Sequence, residues 1–213
     1  VTGFEHPPTD LPADLPAPAD DGTATHLPGR RMPAMALPGT DGSSIELDRL
    51  PGPRAVLYLY PMTGRPGVAL PDGWDAIPGA RGCTPQACDF RDHHGALLAA
   101  GAGAVYGLSS QSTADQCEAV ERLHLPFPLL SDVGLLLATA LDLPTFSAGG
   151  RRLFRRITLV VSQGRVEHVF YPVHPPGAHA GEVLSWLCST ATPGSGAGMS
   201  RTVDFPQPRS SPW

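Results

Sequence analysis

Two of the four cysteines, Cys83 and Cys88, stand five apart in the run Gly82-Cys-Thr-Pro-Gln-Ala-Cys-Asp-Phe-Arg-Asp92. A Gly-rich loop leads into Cys83, and Thr84-Pro85 are helix-opening residues, Thr as an N-cap and Pro at the first helical position. A thiol at such a junction meets unpaired N–H groups and the positive end of the helix dipole, which stabilise an anion and make sulfur a nucleophile. Arg81, two residues upstream, offers further positive charge. Free cysteines are ordinarily small apolar fillers, but a loop-to-helix junction beside an arginine is not a core position. On an intact helix, Cα atoms five residues apart lie roughly 8–9 Å from each other, and a disulfide needs about 4.4–6.8 Å. Cys83 and Cys88 can therefore bond only if the first turns unwind. No second Cys pair or His pair stands at zinc-ligand spacing, and the adjacent His93 and His94 diverge around a helix, so a metal site is not expected.

The remaining candidates read as structural. Cys117 falls in register with Ala114 and Val120 on an amphipathic helix and is expected to fill core. Cys188 closes the last predicted helix, as a free thiol or a minor intermolecular contact, with no role assigned. Arg91 is expected to pair with Asp92 or Asp132. Trp74 is a candidate plug for its loop, or an interface anchor.

The elements that hold these residues alternate between strand and helix. Ala55–Tyr60 and Ala104–Leu108 are continuous apolar runs, as in strands buried on both faces. Short strands are expected at Ser44–Leu47 and Phe127–Leu130, and a hairpin at Arg156–Val161 and Val166–Tyr171 around Ser162-Gln-Gly-Arg165. Helices are expected from Thr84 to about Ala100, from a Ser112 cap onward, over Val133–Leu141 and over Gly181–Cys188. Residues 61–82, rich in Gly and Pro, form a long loop. The order gives an α/β chain with a central mixed sheet flanked by helices on both faces, a thioredoxin-like architecture.

Three stretches divide the chain. Residues 1–31 hold six prolines and five acidic residues without apolar periodicity, an extended arm. Residues 32–188 form the domain, and 189–213 a Gly/Pro/Ser-rich disordered tail. The arm is expected to wrap the domain through Leu27-Pro28 and Met32-Pro-Ala-Met35. The formal charge of −5 argues against a nucleic-acid partner. No apolar run reaches membrane-spanning length and no signal sequence opens the chain, so the cytoplasm is expected. All 15 basic residues are Arg and Asn is absent. Lys and Asn codons are AT-rich, which points to a GC-rich bacterial coding sequence.

The run around the two cysteines resembles the active-site stretch of atypical two-cysteine peroxiredoxins of the Q type, the bacterioferritin comigratory protein family, which carries Gly-Cys-Thr-x-x-Ala-Cys-x-x-Arg-Asp. The resemblance extends to Leu37-Pro-Gly-Thr-Asp-Gly42, Val56-Leu-Tyr-Leu-Tyr-Pro61, Leu129-Leu-Ser-Asp132 and the strand pair opened by Arg156, covering about residues 33–188. It implies a peroxidase with Cys83 as peroxidatic thiolate and Cys88 as resolving thiol. An intramolecular Cys83–Cys88 disulfide would be recycled by thioredoxin or a similar dithiol reductant. Arg156, rather than Arg155, would stand beside the Cys83 sulfur. No cofactor is implied, and the molecule would be a monomer or weak homodimer.

The chain departs from the family's Pro-x-x-x-Thr-x-x-Cys loop. Three residues before Cys83 stands Ala80, not Thr, and 22 positions separate Pro61 from Cys83 where the pattern has seven. Pro61 and Thr63 are therefore the candidate substrate contacts, with Thr63 folding back to replace the missing hydroxyl. The enlarged 61–82 loop would reshape the entrance or form a subunit contact. Two competing readings are a peroxide-sensing redox switch and a thiol–disulfide oxidoreductase. The second lacks the usual Cys-x-x-Cys spacing.

Overall fold

The computed structural model describes residues 15–190; the first half of the arm and, but for Ser189 at the end of the last helix and Thr190 at its cap, the expected tail lie outside them. A short hairpin pairs β1 (Ala36–Pro38) with β2 (Ser44–Glu46). The central sheet has five strands. In sequence order they are β3 (Arg54–Leu59), β4 (Ala102–Ser109), β5 (Leu129–Ser131), then β8 (Ile157–Ser162) and β9 (Arg165–Phe170). In space they run β5-β4-β3-β8-β9, with β3, β4 and β5 parallel and β8 and β9 antiparallel to their neighbours. Between β5 and β8 a second hairpin joins β6 (Thr145–Ala148) to β7 (Arg151–Phe154). The helices are α1 (Cys83–Ala99), α2 (Thr113–Leu123), α3 (Leu136–Leu141) and α4 (His179–Ser189).

The apolar run of β3 is buried because it faces two cores. Side chains alternate across a strand, so Ala55, Leu57 and Leu59 enter one core with α3 residues Leu137 and Leu141. Val56 and Tyr58 enter the other with α1, α2 and α4, through Phe90, Leu123 and Val183. Tyr58 fits only because residue 107 on the adjoining strand is Gly: a Cβ there would lie 2.6 Å from the Tyr58 hydroxyl.

Four local expectations change. Helix α1 begins at Cys83, two residues before the Pro85 start that a Thr84 cap implies, because Gly82 takes the cap position in a left-handed conformation with φ of 104°. Only Gly adopts this without strain. The buried face of α2 runs through Gln116, Ala119 and Leu123, while Ala114 is exposed and Cys117 half-buried with Sγ 3.7 Å from the Thr40 carbonyl oxygen. Gln116 goes inside because its amide donates to the Leu130 carbonyl at 2.9 Å and accepts from the Tyr60 hydroxyl at 3.2 Å. Arg155 and Arg156 do not alternate on a strand but lie in the bend between β7 and β8. The β6–β7 hairpin was not expected. It packs Ala148 and Leu153 against the long loop, where Trp74 and Ala80 are buried, so Trp74 plugs that loop.

The segment before β1 is bound to the domain. Ala24, Leu27 and Met32 are buried in the β3/α3 core, and the backbone from Gly29 to Met32 pairs with Gly164 and Val166 at the sheet edge.

Candidate active site

The site forms where α1 meets the loop before it. Gly82 brings no side-chain cap, and Pro85, the third helical residue, has no N–H to satisfy. The first-turn N–H groups of Cys83 and Thr84 are thus free of intrahelical partners. Cys83 and Cys88 are both buried free thiols within the one helix, so the geometry that forbids a disulfide in the intact helix holds.

Arg156 is buried and reaches Cys83: Nη2 lies 3.3 Å from Sγ. The same nitrogen donates to the carbonyl oxygens of Arg81 at 3.0 Å and Gly79 at 3.3 Å. Nη1 donates to Gln86 Oε1. The guanidinium is thus oriented by the loop that precedes Cys83 and by the helix that carries it. Arg155 is part-exposed, its backbone N–H bonded to the Pro144 carbonyl. Arg81 turns its guanidinium to Asp75, with Nη2 3.0 Å from Oδ2, and contributes its carbonyl rather than its charge.

The other expected substrate contacts, Pro61 and Thr63, are both buried. Pro61 is buried at the end of β3. Thr63 is buried, and its hydroxyl and backbone N–H both donate to Gln111 Oε1, at 3.1 and 2.8 Å. Ala80 supplies no hydroxyl, and its carbonyl oxygen lies 3.8 Å from Cys83 Sγ. Burial pushes the Cys88 thiol above its ordinary value, with Arg91 working against the shift. Arg91 pairs with Asp92 at 2.8 Å, as expected, and also donates to the Leu123 carbonyl. Asp132 instead caps α3, accepting from the Leu136 and Leu137 N–H groups. His93 contacts Asp89, and His94 packs on Phe127. Among the described residues no group of three His, Cys, Asp or Glu is placed to hold a metal.

Two residues at the site were not singled out from sequence. Gln86 is fully buried, and its Nε2 has no partner; neither has Arg156 Nε or the Tyr58 hydroxyl. These are the unpartnered buried side-chain polar atoms among the described residues. All three residues belong to, or pack beside, the arginine–cysteine cluster. Gln86 stands three residues after Cys83, hence on the same helical face, which is the signal that would have found it. Tyr58 lies in the same core as Cys83 and Cys88 and stacks on Phe90 with centroids 4.3 Å apart.

A family model described as Redoxin matches residues 27–184. A Mycobacterium tuberculosis protein named as a peroxiredoxin is 35% identical over 118 residues, which cover 55% of this chain and 65% of that protein. The chain thus spans less than two thirds of that relative's length. A Coxiella burnetii protein named as a peroxiredoxin, bcp, is 30% identical over 163 residues, 75% of this chain and 97% of its own length. The solved structure of Xanthomonas campestris peroxiredoxin Q superposes with a TM-score of 0.57 at 25% identity, covering 84% of this chain and 99% of that one.

Proposed function

Because the chain belongs to the redoxin family, we propose that it is a thiol-dependent peroxidase of the peroxiredoxin Q type. The observation that carries this reading is the Arg156 guanidinium 3.3 Å from Cys83 Sγ at the open N-terminus of α1. The Cys83 thiolate attacks an oxygen of hydrogen peroxide or an organic hydroperoxide. The S–O bond forms, the O–O bond breaks, and the departing oxygen leaves as water or alcohol after taking a proton. Sulfur is oxidised to the sulfenic acid. Arg156 and the first-turn N–H groups supply positive charge and donors to the oxygens on which charge develops. With Ala80 lacking a hydroxyl, Thr63 serves the peroxide only by exchanging Gln111 for it, and Pro61 shapes the wall behind it.

Resolution follows the unwinding of the first turns. The Cys88 sulfur attacks Cys83, the S–S bond forms, the S–O bond breaks, and water leaves. Thioredoxin or a similar dithiol then reduces the disulfide by exchange and is itself oxidised. The reaction is assigned to a monomer or weak homodimer in the cytoplasm, where thiols are kept reduced. Among the described residues no helix is long and apolar enough to cross a membrane.

The test is peroxide consumption with thioredoxin, thioredoxin reductase and NADPH, on wild type, Cys83→Ser and Cys88→Ser. Turnover should be absent in Cys83→Ser and stall after about one equivalent in Cys88→Ser with this dithiol. Wild type that loses its thiol pair to peroxide but does not turn over would replace the enzyme with a single-use redox switch.

A further inference from the structure

Residues 15–18 lie against the loop that feeds α1, and residues 19–23 lead from them to the body of the domain. The Pro18 ring rests on Gly79, where a Cβ would meet Pro18 Cγ at 3.4 Å. Leu15 and Pro16 wall a cavity of about 210 Å³ together with Ile77, Gly79, Arg81 and Arg156. Pro18 lines a second small cavity, again with Gly79 and Arg156. The side-chain hydrogen bond that ties this stretch to the rest of the domain is Thr23 Oγ1 to Tyr171 Oη, at 3.3 Å. Just beyond it the chain is fixed: Ala24 and Leu27 are buried, and Gly29 donates to the Val166 carbonyl at 2.7 Å. The segment therefore has a rigid root and a mostly exposed, weakly held end.

The surface under that end takes part in the chemistry. Gly79 and Arg81 give their carbonyls to Arg156 Nη2, the nitrogen that reaches Cys83. Unwinding the first turn of α1 displaces Gly82 and the residues joined to it, and with them the wall against which Leu15, Pro16 and Pro18 are seated. We propose that residues 15–23 are a redox-coupled strap, docked on the active-site loop when the cysteines are reduced and released when the Cys83–Cys88 disulfide forms. The proposal rests on the two-cysteine reading above. Coupling is reciprocal: if the disulfide releases the strap, the docked strap opposes the disulfide.

The test uses the full chain and a protease that cuts before Asp20 and Asp21. Its rate there is compared in the reduced protein, in protein oxidised with one equivalent of hydrogen peroxide, and in Cys88→Ser treated alike. Thiol counting reports the disulfide separately. The disulfide form should be cut at least about fivefold faster, with Cys88→Ser remaining slow. In Pro18→Arg the reduced chain should be cut as fast as the oxidised wild type. Its disulfide should gain at equilibrium with glutathione by the same factor. Equal cleavage of reduced and disulfide wild type overturns the strap while leaving the two-cysteine chemistry intact. So does Pro18→Arg with accelerated cleavage and an unchanged disulfide equilibrium. A protein in which no disulfide forms removes the two-cysteine reading, and the strap with it.

Discussion

Arg156 uses two guanidinium nitrogens to hold four partners, and only a planar fork can do so. Arg156→Lys keeps the charge and loses that geometry. The rate of Cys83 oxidation by peroxide, followed by stopped-flow, should fall by about 10²-fold or more. Cys88 carries a second prediction. Its burial favours the neutral thiol, and the thiolate is the attacking form. Disulfide formation after a single addition of peroxide should therefore accelerate as pH rises from neutral to alkaline. A flat profile would mean that unwinding alone sets the rate. At this scale the sequence was legible where local rules apply: Cys83 at a helix mouth and Cys88 five residues on. Gln86 was not, since a glutamine on a helix reads as surface. What buries it is an arginine 70 positions away.

The elements were legible where one period dominates. The apolar runs of β3, β4 and β8 and the Ser112 cap of α2, which accepts the Asp115 N–H, follow from pattern and cap chemistry. The β6–β7 hairpin escaped because its burial depends on Trp74, more than 70 residues earlier, folding the long loop down onto Leu153 and Ala148. The same contact turns an apparent insertion into a small core beside the site. Packing between strands also sets a limit at Gly107. A methyl there would lie 2.5 Å from Leu129 Cδ2 and 2.6 Å from the Tyr58 ring. Gly107→Ala should lower stability by about 1–3 kcal/mol through overpacking, measured by denaturant unfolding. It should also slow the peroxide reaction by displacing Tyr58 beneath α1.

Across the whole molecule, the arm's apolar anchors were visible but their destination was not. Leu27 and Met32 join a core whose other members come from both ends of the sheet. The pH response belongs to this scale as well. His179 is buried between Thr158, at 2.8 Å, and Glu182, at 3.1 Å, against the rings of Phe90 and Phe170. Burial holds its imidazole below the ordinary value of 6.5, Glu182 opposing the shift. The unfolded chain therefore binds the proton more readily. Stability is fully present above 6.5 and is lost as pH falls from there through the depressed folded value. The urea midpoint should drop on mild acidification, and His179→Gln should flatten that slope.

The stack of Tyr58 on Phe90 has a consequence for how far α1 can fray. Phe90 is fully buried, and the neighbouring Asp89 accepts the Ala180 N–H at 2.6 Å. From residue 89 onward the helix is tied to the sheet by that stack and to α4 by that hydrogen bond, whereas residues 83–88 are held by burial and by the Gln86–Arg156 contact. If the first turns unwind to join Cys83 to Cys88, as proposed, this anchor stops the melting just after Cys88, so that the two sulfurs meet while Phe90 and Asp89 keep the rest of the helix seated.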